Sequence, residues 1–403
     1  LENGMPRFGP GILVTAAFIG PGSIATASVA GANFGFVLLW ALLFSLVATG
    51  ILQEMAARLG LASGSGLSEA LRSTFTSPII SRGSVFLVVA AIGIGNAAYE
   101  AGNISGAALG LQSISGLSTP VCAVILGMIS AILLGSSGYK ILEPLLVILV
   151  LIMSIVFVVT MIMIDVNYHA VFRGLLVPSI PENSLLTVIA LIGTTVVPYN
   201  LFLHANLAKE KWKDVELKLA LTESRSDIIL SIGLGGLITL AVMSTSAVAF
   251  FGTDRLFSSA SIATQLEPVL GASANIFFAF GLMAAGLTSA ITAPLAAAYA
   301  VTGALGWPSE FKDYRFRAIW LSVLLIGTGF AALGTKPIAA ILFAQAANGL
   351  LLPVIAIFLL IIVNREDLIG LHRNGKFANI TGILVVLVVS SLGLFKLVST
   401  FLS

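Results

Sequence analysis

Apolar runs fill most of this chain, and short polar segments interrupt them at irregular intervals. Stretches of about 20 mostly apolar residues, the length that crosses a hydrocarbon core, lie near 9–33, 36–60, 83–112, 118–136, 143–165, 184–207, 225–251, 273–304, 317–334, 338–363 and 378–402. Leu, Ile, Val, Ala and Gly follow one another in them without the alternation of a barrel strand, which meets lipid on one face and a lumen on the other. The pattern predicts an all-α integral membrane protein with eleven transmembrane helices. The polar interruptions near 60–82, 165–183 and 208–224 are expected to be loops, none long enough to fold alone.

Composition agrees: 58% hydrophobic and 9% charged residues among 403, with a mean hydropathy of +1.07, leave too little polar surface to clothe a soluble globule. Charge then orients the spans. Arg7, Arg58, Arg72, Arg82, Lys140, Lys209, Lys211, Lys213, Lys218, Arg225, Lys312, Arg315, Arg317, Arg365, Arg373 and Lys376 fall on the side of the N-terminus, and only Arg173, Arg255, Lys336 and Lys396 on the other. Excess Lys and Arg mark the cytoplasmic face, so the expectation is a multi-pass inner-membrane protein with a cytoplasmic N-terminus and an extracytoplasmic C-terminus. The net charge of +2 therefore reflects topology. The expected partners are a lipid bilayer and a transported solute, with no nucleic acid and no obligate protein partner evident. Cys122 stands alone, which excludes a disulfide framework or a thiolate metal site within one chain. The opening LENGMPRFGP lacks an initiator Met and a signal pattern and is read as a trimmed start.

Two spans break in their middles. FIGPGSIATAS (18–28) carries Gly20, Pro21 and Gly22 in a row, and TTVVPYNLFLHAN (194–206) carries Pro198. Proline removes a backbone hydrogen bond, and hydrocarbon tolerates the freed groups only where protein, water or a ligand satisfies them. Either kink alone has an ordinary structural explanation. Two in corresponding positions, each followed by a polar residue, Ser23 and Asn200, point to inverted repeats with a substrate site at the bilayer midplane. The expected division is a first repeat over 1–165 (spans 1–5), a second over 166–363 (spans 6–10), and a cytoplasmic loop with an eleventh helix over 364–403.

The segments GPGILVTAAFIGPGSIATASVAGANFGF, LQEMAARLG, VPYNLFLHANL, ESRSD, GLMAAGLTSAITAPLA and AQAANGLLLP together resemble the Nramp (natural resistance-associated macrophage protein) divalent-metal transporters over essentially the whole chain. The resemblance implies a fold similar to the Na⁺-coupled amino-acid transporters and passage of Mn²⁺ or Fe²⁺ with protons. It also implies metal ligands from D-P-G-N on span 1 and M-P-H-N on span 6. Here the family's Asp falls on Gly20, its Asn on Ser23, its Met on Val197 and the following His on Tyr199. The carboxylate, the thioether and one imidazole are gone. The carbonyls of Ala17 and Thr194, the side chains of Asn200 and His204, and the span-10 glutamine, Gln345, remain. The metal set implied is Ala17, Ser23, Thr194, Asn200 and Gln345, with Gly20, Val197 and Tyr199 also lining the substrate.

Loss of the soft thioether removes the basis for rejecting hard ions, and Mg²⁺, which dehydrates reluctantly, suits a roomier site of carbonyls and hydroxyls. These departures are similar to the Nramp-related magnesium transporters. The expected activity is import of a partly hydrated hard divalent cation, Mg²⁺ first and Mn²⁺ as competitor, with no cofactor. The alternative is a small organic anion or zwitterion held by amides at the broken helices.

A divalent ion at midplane calls for nearby negative charge, and Glu100 in span 3 is the candidate. It matches the first of two acidic family positions on that helix; the second is Asn103. A neutral Glu100 bonding across helices is the competing explanation. His204 likewise admits proton handling or a structural bond to a carbonyl. Glu54 is expected to pair with Arg58 one turn on, Glu223, Arg225 and Asp227 to form a charged helix start, and His169 and His372 to lie in loops. Tyr199, a phenol with an ordinary pKa near 10, replaces the family's titrating imidazole, so ion entry is expected without proton coupling. No phosphate loop, nucleophile–base pair or hydrolase spacing points to an enzyme.

Overall fold

The computed structural model describes residues 20–74, 77–136, 139–334 and 336–402. Every regular element among them is helical. The half of span 1 before Gly20, with Ala17, lies outside the described residues. The second half of that span is α1, Pro21–Phe34. Then come α2 (Leu39–Ser63), α3 (Leu67–Thr74), α4 (Pro78–Ser115), α5 (Thr119–Ser136), α6 (Tyr139–Met163) and α7 (Tyr168–Leu176). The rest are α8 (Leu185–Thr195), α9 (Pro198–Lys211), α10 (Leu217–Phe250), α11 (Ala274–Leu305), α12 (Tyr314–Ala332), α13 (Pro337–Ile362) and α14 (Lys376–Leu402). With α8 and α9 taken as one span, 10 helices among the described residues are long and apolar enough to cross a bilayer.

The polar interruptions are more structured than their composition suggests. The 60–82 segment folds α3, whose apolar residues Leu67, Ala70 and Leu71 are buried while Glu69 and Arg72 lie on its polar side. The 165–183 segment folds α7, capped by the Asn167 side chain, which accepts from the Ala170 amide at 3.0 Å. The 208–224 segment shrinks to a short link, because α9 runs on to Lys211 and α10 starts at Leu217. Short amphipathic helices bury one face against the bundle, a tertiary gain that charge content does not reveal.

The interior is packed through small residues. Helices in lipid associate by close van der Waals approach, which Gly, Ala and Ser permit. α4 lies along α11, α12 and α13, and α1 lies against α10. At the α8–α13 crossing Gly193 abuts the backbone of Gln345 and Gly349, so a Cβ on Gly193 would fall 2.5 Å from the Gly349 amide nitrogen. Gly193→Val is expected to cost about 1–3 kcal/mol or more through overpacking, read as loss of monodisperse protein and a lower Tm. An unchanged Tm would contradict this packing. Large apolar side chains such as Phe86, Ile94, Ile132, Ile155 and Leu325 face outward, as bilayer contact requires.

The two ends of the bundle differ. At one, Glu54 accepts from Arg58 (3.1 Å) and from Arg225 of α10 (2.9 Å). Arg58 also donates to Asn374 Oδ1 (2.6 Å) and the His372 carbonyl, and Arg365 donates to the Thr74 carbonyl. Glu54 thus joins two helices instead of pairing with Arg58 alone. Asp367 there accepts from Arg365 Nε at 2.9 Å, and that hydrogen bond holds its carboxyl below the ordinary value. At the opposite end, Gln265 in a 3₁₀ turn (Ile262–Leu266) donates to Ser28 Oγ at 3.0 Å and accepts from Thr245 at 3.3 Å. Ser246 donates to the Ser28 carbonyl at 2.6 Å, so this turn ties α1 to α10. A cleft of about 470 Å³ lined by Thr245, Arg255, Gln265 and Glu267 opens beyond it.

Candidate functional site

Each break starts a half-helix with proline at its first position, and each half-helix has 14 residues: α1 from Pro21 and α9 from Pro198. Proline lacks the N–H that the first helical residue would leave unpaired and presets the helical φ. Before α1, Gly20 is extended (φ −113°, ψ −174°). Before α9, Val196 (φ −95°, ψ 72°) and Val197 (φ −77°, ψ 122°) leave the helix after α8 ends at Thr195. An α-helix leaves its last carbonyls without intrahelical partners, so the end of α8, Thr194 included, presents acceptors at the break.

The two breaks meet. Ser23 Oγ and Thr194 Oγ1 lie 2.9 Å apart, both buried, 171 residues apart in sequence. Gln345 of α13 lays its carboxamide against Gly22, where a Cβ would fall 2.6 Å from its Cδ. Asn200 follows the second break by two residues and is 1% exposed. Among the described residues, both polar atoms of Asn200 and both of Gln345 are buried without a hydrogen-bond partner. Buried amides are nearly always paired, and an exception calls for a ligand, an ion or water. Val197 is buried at the same break, and the Tyr199 ring meets the Tyr99 ring edge-on at 5.6 Å.

Other candidates sit elsewhere. Glu100 is fully buried, but its methylenes press on Gly327 of α12, where a Cβ would lie 2.7 Å from Glu100 Cβ. Its Oε2 accepts from Asn103 at 3.2 Å, and its Oε1 has no partner among the described residues. Tyr99, one position earlier and about 100° around the helix, is the α4 residue that faces Gly20. His204, one turn beyond Asn200, is buried, and among the described residues neither ring nitrogen is bonded. Glu223 accepts from Trp212 Nε1 at 2.6 Å.

Two residues that line the break, and one a turn away from it, escaped sequence reasoning. Ser289 of α11 places Oγ 2.8 Å from the Cβ position of Gly20, and Tyr99 brings its hydroxyl within 3.9 Å of that point. Asn348 follows Gln345 by one turn on α13, buried, with Nδ2 unpartnered among the described residues. A Ser in an Ala-rich helix carries little signal, but Gln345 and Asn348 form a polar i, i+3 pair in an apolar span and were legible as such.

A sequence model described as natural resistance-associated macrophage protein-like, Nramp, matches residues 11–399. The chain belongs to the Nramp family. It is 28% identical over 396 residues to a Yersinia pestis (strain Pestoides F) protein named divalent metal cation transporter MntH, covering 97% of this chain and 94% of that one. The Pectobacterium carotovorum protein of the same name is 26% identical over 397 residues, with the same coverage. Among solved structures, a mutant of the Eremococcus coleocola manganese transporter superposes with a TM-score of 0.78 at 21% identity, covering 98% of this chain and 88% of that one. Mhp1, a nucleobase-cation-symport-1 family transporter, gives 0.61 at 14% identity, covering 98% and 92%. These likenesses show that the Nramp chain shares the fold of those transporters.

Proposed function

We propose that this Nramp protein is a secondary transporter importing a hard divalent cation, Mg²⁺ before Mn²⁺, as a partly hydrated ion without proton coupling. The observation that carries the proposal is the pair of buried, unpartnered carboxamides, Asn200 and Gln345, beside the Ser23–Thr194 contact and the open carbonyl end of α8. All of these are hard oxygen donors. Among the described residues no three His, Cys, Asp or Glu side chains gather as a metal cage, which suits an ion that keeps much of its water. Relatives named as divalent metal cation and manganese transporters support the substrate class. Two 14-residue half-helices starting at Pro21 and Pro198 support repeats at 1–165 and 166–363, and the arginine-rich end is assigned to the cytoplasm.

A small organic anion or zwitterion is the second candidate, because α1 and α9 both present amino-terminal ends at the break, where the helix dipole favours negative charge. Proteoliposome uptake decides. Mg²⁺ and Mn²⁺ are expected to enter and to compete with each other, driven by the membrane potential at about 2.3 kcal/mol per charge per 100 mV, while amino acids and small carboxylates do not. Internal pH is expected to stay at the passive-leak baseline during uptake. Acidification that tracks metal entry and vanishes in Glu100→Gln or His204→Ala would overturn the uncoupled mechanism, and organic uptake without metal uptake would overturn the substrate.

A further inference from the structure

α4 runs away from the arginine-rich end, since it follows α3 and Arg72, and α13 runs towards it, ending just before Arg365. Tyr99 and Gln345 mark the level of the break on these helices. One turn nearer the arginine-rich end, α4 carries Asn96 and α13 carries Asn348, 3% and 2% exposed. Asn348 reaches across to α4, with Oδ1 3.6 Å from the Cβ position of Gly95. Asn96 donates Nδ2 to the Ile92 carbonyl at 2.9 Å in its own helix, leaving Oδ1 without a partner among the described residues. Asn348 Nδ2 is also without one. These amides are therefore not glue between helices: among the described residues neither bonds across the seam. Unpaired amide atoms in a dry core destabilise it, and an apolar side chain of equal size would serve packing better.

We propose that Asn96 and Asn348 form a second polar stop for the hydrated cation, one turn from the Asn200–Gln345 site on its way to the cytoplasm. Their carbonyl oxygens accept hydrogen bonds from the ion's own waters, and the Asn348 Nδ2 donates to a water oxygen. A cation leaving Gln345 then meets hydration partners before the wider, charged end of the bundle. Gly95 and Gly102 keep the α4–α13 seam narrow: a Cβ on Gly102 would lie 3.0 Å from Ala344 Cβ and 4.0 Å from the Gln345 amide nitrogen.

This inference rests on the cation-transport proposal, and full-length protein in proteoliposomes tests both, with Mn²⁺ as probe. In Asn348→Leu and Asn96→Leu the initial Mn²⁺ uptake is expected to fall about tenfold through loss of water-bridged contacts. Equilibrium Mn²⁺ affinity should hold within about threefold and Tm stay level or rise, since each change puts an apolar group of similar size in place of an amide that makes no bond to another helix among the described residues. Asn348→Ser, which keeps a polar atom, is expected to retain more uptake than Asn348→Leu. Unchanged uptake in both Leu variants, or a Tm that falls with uptake, would overturn the second stop while leaving cation transport standing. Affinity lost in parallel with uptake would merge these residues with the first site and overturn a separate stop. No divalent uptake by the unsubstituted protein would overturn both proposals.

Discussion

Gly20→Asp combined with Val197→Met is expected to shift preference from Mg²⁺ towards Mn²⁺ and Cd²⁺ by about two orders of magnitude, because it adds a carboxylate and a soft thioether at the break. The structure admits both side chains. Gly20 has a φ of −113° that any residue adopts, and the atom nearest a new Cβ is the Ser289 hydroxyl oxygen at 2.8 Å, which can rotate aside. Val197 is buried at the residue before Pro198, so a longer, flexible Met reaches the same space. Competition of Mg²⁺, Mn²⁺ and Cd²⁺ against one another, in the parent and the double variant, is the measurement. Equal relative affinities in a folded variant would show that these positions do not face the ion.

Gly22→Ala is expected to lower divalent-ion affinity by about ten- to a hundredfold, the effect of losing one well-placed ligand, without unfolding the protein. A methyl group there would occupy the space of the Gln345 carboxamide, the far end of a flexible side chain that can swing out. Ala also suits the first turn of α1 better than Gly. Because Gly22→Ala and Gln345→Ala remove the same interaction, the double variant should bind no worse than the weaker single one, a coupling that a thermodynamic cycle measures. Additive losses would show that Gly22→Ala does not act through the Gln345 side chain.

The breaks were legible because proline and glycine inside a membrane span contradict the local pattern, and both half-helices begin within a residue of where the sequence interrupts. Span limits were legible for the same reason, set by where apolar runs stop. The direction of Glu100 was not. Its place in span 3 made it a candidate charge, and only the packing shows that Gly327 leaves a recess on α12 that receives its methylenes. A one-residue step on a helix turns a side chain through about 100°, so Tyr99 meets Gly20 while the methylenes of Glu100 pack on Gly327.

By itself, the sequence determined that the chain carries spans long and apolar enough for a bilayer, where those spans lie, and where two of them break. Those properties follow from the solvent and from local backbone chemistry, since hydrocarbon dictates span length and proline dictates where a helix starts. Only the tertiary structure decided that Ser23 meets Thr194, that Gln345 lies on Gly22, that Ser289 faces Gly20, and that Asn96 and Asn348 share a level beneath them. Such pairings depend on how helices far apart in sequence rotate and approach, and small residues on both partners fix that approach through contacts that no single segment contains.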